Sequence, residues 1–222
     1  MQNNVVSLTQ LSTGKTGTAA RSYEVLSTGF SELDRLLPGA TWPTAGITEI
    51  ISAPGFIDPI TLLLPTLATV STQSRWSTWI APPRLPTLKD LSEHGVDAGK
   101  VLLIHNHPKK TPLQLTEQAL ASGCSSTVLA WLEHVDNYQL QRLAKAAAMS
   151  NTTAFLFRPA KAERQISQAD LRLFVSTHTQ RLEVEILQCR GGAGSSLQLP
   201  PHSTKPLFTP DYYCRHQAVA AG

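Results

Sequence analysis

With 222 residues, 41% of them hydrophobic and only 16% charged, the chain has enough apolar content for one domain with a core of its own. Its formal net charge of +3, from 19 Lys and Arg against 16 Asp and Glu, is too small to mark a nucleic-acid binder by itself. No apolar run approaches the roughly 20 residues of a membrane helix, so no membrane partner is expected. The cysteines, Cys124, Cys189 and Cys214, are odd in number and lack CxxC or His/Cys spacing, which fits free thiols in a reducing compartment and no metal site.

In chain order, residues 1–25 are rich in Ser, Thr and Gly, lack the parts of a secretory signal and read as a flexible cytoplasmic segment. Leu33, Leu36 and Leu37 then have helical spacing, with Ser31 as N-cap and Pro38-Gly39 as a stop. The β-branched run 46–52 alternates like a strand. Asp58 and Pro59 open an apolar helix reaching about Val70, which Pro65 should kink. A strand follows around "RWSTWI", a helix over "LKDLSEHGV" stopped by Gly95, and a strand at "KVLLIHN". The next helix, with Pro112 in its first turn and Gly123 at its end, leads to the strand "STVLAWL". A helix over 137–150 has Leu140, Leu143 and Ala147 on one face and precedes the strand "TTAFLFRP". Two further strands, 171–179 and 181–190, suit an antiparallel hairpin at a sheet edge. Alternating strands and crossover helices predict an α/β domain over 26–190, a largely parallel sheet with helices on both faces. The Gly/Ser/Pro-rich tail, 191–222, reads as loosely ordered.

The stretch "EIISAPGFIDP" stands where a phosphate-binding loop would be, after the first strand and before a helix. Such a loop needs glycines for close backbone approach, a Lys for the β and γ oxygens and a Ser or Thr for magnesium. Here there is one glycine, Gly55, and Asp58 occupies the lysine position, where a carboxylate repels a triphosphate. Asp58 as a helix cap, with Pro59 as first helical residue, accounts for both residues without a ligand. The acid expected at the end of a later apolar strand is replaced by Trp131, with Glu133 two residues beyond. No GxSxG, HExxH or paired-carboxylate signature is present, so no catalytic residues and no cofactor are expected. The pair His105 and His107 lacks a third ligand.

On these residues, together with "LSTGFSELDRLLPG", "SRWSTWIAPP", "GVDAGKVLLI", "TVLAWL" and "AFLFRP", the chain resembles the RecA-related superfamily that contains the SulA division inhibitors and the ImuA mutagenesis accessory proteins. The resemblance implies a RecA-like fold with a degenerate phosphate loop at Gly55 and Asp58. For SulA it implies an SOS-response homodimer, without catalysis, that binds FtsZ, blocks its polymerisation and is a target of proteolysis. Carried over by position, the functional arginine of SulA falls on Arg75, its apolar neighbour on Ile80 and its lysine on Lys100, whereas its tryptophan falls near Asp90. For ImuA the resemblance implies a role in translesion DNA synthesis beside a Y-family polymerase homologue and RecA, with Arg84, Lys89, Lys109, Lys110 and Arg158 as a DNA-facing patch. The SulA alternative is the closer one through "SRWSTWIAPP" and "TVLAWL". Trp76 and Trp79 flank one strand, and aromatics there belong to cores more often than to partner contacts, so both are expected inside.

Overall fold

The computed structural model describes residues 26–52, 58–105, 108–178, 181–190, 194–200 and 207. Eight strands form one sheet: β1 Ile47–Ser52, β2 Trp76–Ile80, β3 Val101–Ile104, β4 Ser125–Trp131, β5 Thr153–Pro159, β6 Leu171–His178, β7 Arg181–Cys189 and β8 Ser195–Leu199. Their spatial order is β3-β2-β4-β5-β1-β6-β7-β8. The first six in that order run parallel, and β7 and β8 close the sheet antiparallel. The α-helices are α1 Ser31–Asp34, α2 Leu64–Val70, α3 Leu88–Glu93, α4 Pro112–Ser122 and α5 Asn137–Ser150.

Local chemistry starts and stops most of these helices. Thr87 and Asp90 form a reciprocal capping box on α3, Thr111 and Gln114 on α4, and Asp136 and Gln139 on α5. Gly123 ends α4 at φ 66°, and Asn151 ends α5 at φ 51°, the left-handed conformation in which their N–H groups bond back to the carbonyls of Leu120 and Ala147. The helices cover both faces. Leu33, Leu67 and Leu91 from α1, α2 and α3 pack with Ile50, Trp79, Leu129 and Phe155 on one side. Leu120, Leu140 and Leu143 from α4 and α5 pack with Ile80, Val128, Ala154 and Leu156 on the other.

Four expectations change. The helix foreseen around Leu33 is a single turn that begins at Ser31 itself, with Phe30 in the cap position. Asp34 folds back to accept the Thr28 N–H at 2.9 Å, and Pro38 starts a separate 3-10 turn, leaving Leu36 40% exposed. Pro65 causes no kink: Pro59–Leu63 is a 3-10 segment, and Pro65 stands in the first turn of α2, where its missing N–H costs nothing. Strand β1 does not alternate in burial, because helices cover both sides of this central strand and even Thr48 and Glu49 are buried. The sheet also continues past residue 190: β8 pairs with β7, and Leu199 and Leu207 are fully buried.

Candidate functional site

In open α/β sheets ligands bind beyond the carboxyl ends of the parallel strands. Beyond β1, Gly55 and its neighbours 53–57 lie outside the described residues. Asp58 is 2% exposed, and one carboxylate oxygen accepts the Ile60 N–H at 3.1 Å while the Thr61 hydroxyl donates to its carbonyl at 2.7 Å. The carboxylate therefore caps the helix start, as foreseen. At the end of β4 the Trp131 ring stacks on Phe157, with centroids 4.5 Å apart and planes 12° from parallel, and tilts against Trp79 at 6.3 Å. Three aromatic rings occupy the place where a nucleotide site would set its acid, while Glu133 is exposed two residues away.

Beside this end lies an ion-pair network that the sequence reading missed. Glu49 on β1 is 1% exposed and accepts from Arg158 on β5 at 2.7 Å and from Arg172 on β6 at 2.8 Å. Arg158 also donates to the Gln165 side chain at 3.0 Å and the Val135 carbonyl at 3.3 Å, and Arg172 to the Ala162 carbonyl at 2.7 Å. Burial pushes the Arg158 guanidinium below its ordinary value, Glu49 pulls it back up, and Arg172 adds to the lowering. Two cations against one anion leave the cluster positive inside the protein, tying β5, β1 and β6 together. Its signal in the sequence is a lone charge inside each of three apolar strands, "ITEIIS", "AFLFRP" and "LRLF". Arg158 is thus removed from the DNA-facing patch, being 3% exposed and paired. Arg84, another member, donates to the Leu207 carbonyl at 2.9 Å.

Two of the residues carried over from SulA, Arg75 and Lys100, lie at the opposite end, where β2 and β3 begin. Arg75 reaches across the ends of two helices: it donates to the carbonyls of Gly123 at 3.0 Å, Ser150 at 3.2 Å and Asn151 at 2.9 Å, and to the Thr152 hydroxyl at 3.0 Å. Those carbonyls follow the last turns of α4 and α5, so the guanidinium satisfies helix C-termini and sits against their negative dipole ends. Lys100 joins it, donating to the Ser74 carbonyl at 3.3 Å. Ile80 does not join them. It lies at the far end of β2, about 13 Å from Trp76 at 3.3 Å per residue, and is fully buried against the α4/α5 side. A direct partner contact through Ile80 is therefore corrected to a core role. Asp90 works in the α3 capping box. The two tryptophans separate: Trp79 is fully buried, as expected, but Trp76, the first residue of the strand, is 45% exposed.

Among the described residues, no three His, Cys, Asp or Glu side chains group as a metal would need. His107 is outside them, and His105 Nδ1 lies 3.1 Å from the Pro82 carbonyl. Cys124 is a free thiol, and Cys214 is outside the described residues. Among the described residues no helix is long and apolar enough to cross a membrane.

Residues 47–154 match the family model described as cell division inhibitor SulA. The chain is 31% identical over 111 residues to the cell division inhibitor SulA of Photorhabdus laumondii, a match covering 50% of this chain and 63% of that protein. With the SulA of Pectobacterium atrosepticum it shares 34% over 102 residues, 46% of this chain and 61% of that protein. It thus spans less than two thirds of the length of the curated relatives it matches. A crystal structure of SulA from Pseudomonas aeruginosa aligns at 29% identity over 53% of this chain and 99% of its own, with a TM-score of 0.43.

Proposed function

We propose that this chain, whose residues 47–154 form a SulA-family domain, stops cell division by binding FtsZ and blocking protofilament growth, with no chemistry of its own. The observation that carries this reading is the family match itself, supported by curated relatives named as division inhibitors. The end of the sheet where a nucleotide would sit gives further support, since Asp58 spends its carboxylate on a helix cap and Trp131 is packed among aromatics. On this reading the domain is RecA-like with a phosphate loop that has lost its lysine, and the protein acts in the cytoplasm as a homodimer open to proteolysis.

Arg75 and Lys100 mark the end of the molecule that meets FtsZ. Because Arg75 is held by helix carbonyls, it acts as a positioning residue that fixes the contact surface, while Lys100 steers an acidic partner. The translesion alternative gains nothing from the structure, with Arg158 and Arg84 already engaged. The test is FtsZ assembly followed by light scattering, with the protein titrated in without ATP. Stoichiometric blocking predicts loss of assembly near equimolar ratio. Full assembly at several-fold excess would refute it.

A further inference from the structure

Two large apolar side chains near the starts of β2 and β3 are exposed, offset by two residues along the strands. Trp76 is 45% exposed and Leu102 47% exposed. Thr78 on β2 pairs with Leu102 on β3, and neighbours paired in parallel register share a face of the sheet. Trp76 precedes Thr78 by two residues, so Trp76, Thr78 and Leu102 lie on one face, the face that α4 covers further along at Ile80. Strand β3 ends the sheet, which puts this pair at its margin. Lys100, two residues before Leu102, and Arg75, next to Trp76, give the pair a cationic rim. A half-exposed tryptophan beside an aliphatic residue, with an Arg and a Lys around them, is the composition of an interface hot spot.

We infer that Trp76 and Leu102 are the apolar anchors of the partner surface, and that the occupant is the division protein proposed above, through a patch that is apolar at its centre and carboxylate-bearing at its rim. This rests on the division-inhibitor reading. Charge selects the occupant: a two-fold contact with a second copy would bring the two Lys100 side chains toward each other, whereas a partner with carboxylates relieves that repulsion. The packed position of Arg75 explains how an arginine can matter to the interface without touching the partner, since its bonds hold the start of β2 and hence the Trp76 ring in place.

The test compares Trp76→Ala, Leu102→Ala, Trp76→Phe and, as a control, Tyr138→Ala, a 68% exposed residue in the first turn of α5, at the opposite end of that helix from Ser150. Each is assayed for inhibition of FtsZ assembly, for sedimentation of the inhibitor alone and for Tm. The inference expects Trp76→Ala and Leu102→Ala to raise the half-inhibitory concentration about 10- to 30-fold. Trp76→Phe should retain most inhibition, Tyr138→Ala all of it, and Tm and sedimentation should stay at the wild-type values. If wild-type protein inhibits and the two Ala variants inhibit equally well, the anchor assignment is wrong and the function stands. If those variants turn a wild-type dimer into monomer, the patch is a self-contact and the assignment is equally overturned. Wild-type protein that leaves FtsZ assembly unchanged sinks the functional reading and this inference with it.

Discussion

Replacing Arg75 by Ala removes a cation that bonds three helix-end carbonyls and one hydroxyl. A hydrogen bond to a charged group contributes about 1.5–3 kcal/mol when buried. Arg75 is half-buried, so water replaces a large part of that on truncation. Losing the favourable contact with two helix C-termini adds about 0.3–1 kcal/mol for each helix. The net cost is about 2–3 kcal/mol, which for a domain of this size lowers Tm by roughly 5–10 °C. Thermal unfolding by circular dichroism measures it directly. Arg75→Lys should recover less than half of the loss, because an ammonium cannot span carbonyls on two helices as a planar fork does. A Tm within 2 °C of wild type for Arg75→Ala, combined with lost inhibition, would refute the clasp and make the guanidinium a direct contact. The assay also bears on function: inhibition by Arg75→Ala has to be measured well below its own Tm, or loss of fold would pass for loss of contact.

Glu49→Gln leaves two buried guanidiniums without their anion and should destabilise by about 3–5 kcal/mol in urea unfolding, whereas the triple change Glu49→Leu, Arg158→Met, Arg172→Met should cost far less. Asp58→Ala removes a helix cap and should lower stability by about 1 kcal/mol. Asp58→Lys should not create ATP binding by equilibrium dialysis, since the Trp131–Phe157 stack stays in place. Gly29→Ala should cost more than about 2 kcal/mol by chemical denaturation: Gly29 sits at φ +83°, and an added Cβ would come within 2.2 Å of the Pro65 Cβ.

How much of this was legible follows from the range of each interaction. The helix ends at Gly95 and Gly123, the cap at Asp58, the individual strands and the final hairpin are set by residues within a few positions of one another, so a linear reading finds them. The same local reading erred at Pro65, where only the neighbouring Gly29 shows that the ring is a packing surface, and at β1, whose burial on both faces depends on helices from elsewhere in the chain. Trp76 and Trp79 look alike as sequence, three residues apart in one strand. One is interior and the other half-exposed: pleating sends them to opposite faces, and Trp76 stands at the first position of the strand.

The sequence by itself determined an α/β chain with an aspartate where a phosphate-binding loop would carry its lysine, and residues 47–154 that match the family model described as cell division inhibitor SulA. Tertiary structure alone decided what the charges do. Glu49 meets its partners 109 and 123 residues away, and Arg75 reaches carbonyls 48 to 76 residues distant. Such contacts arise only when the order of strands brings chain ends together, and no local pattern of residues encodes that order.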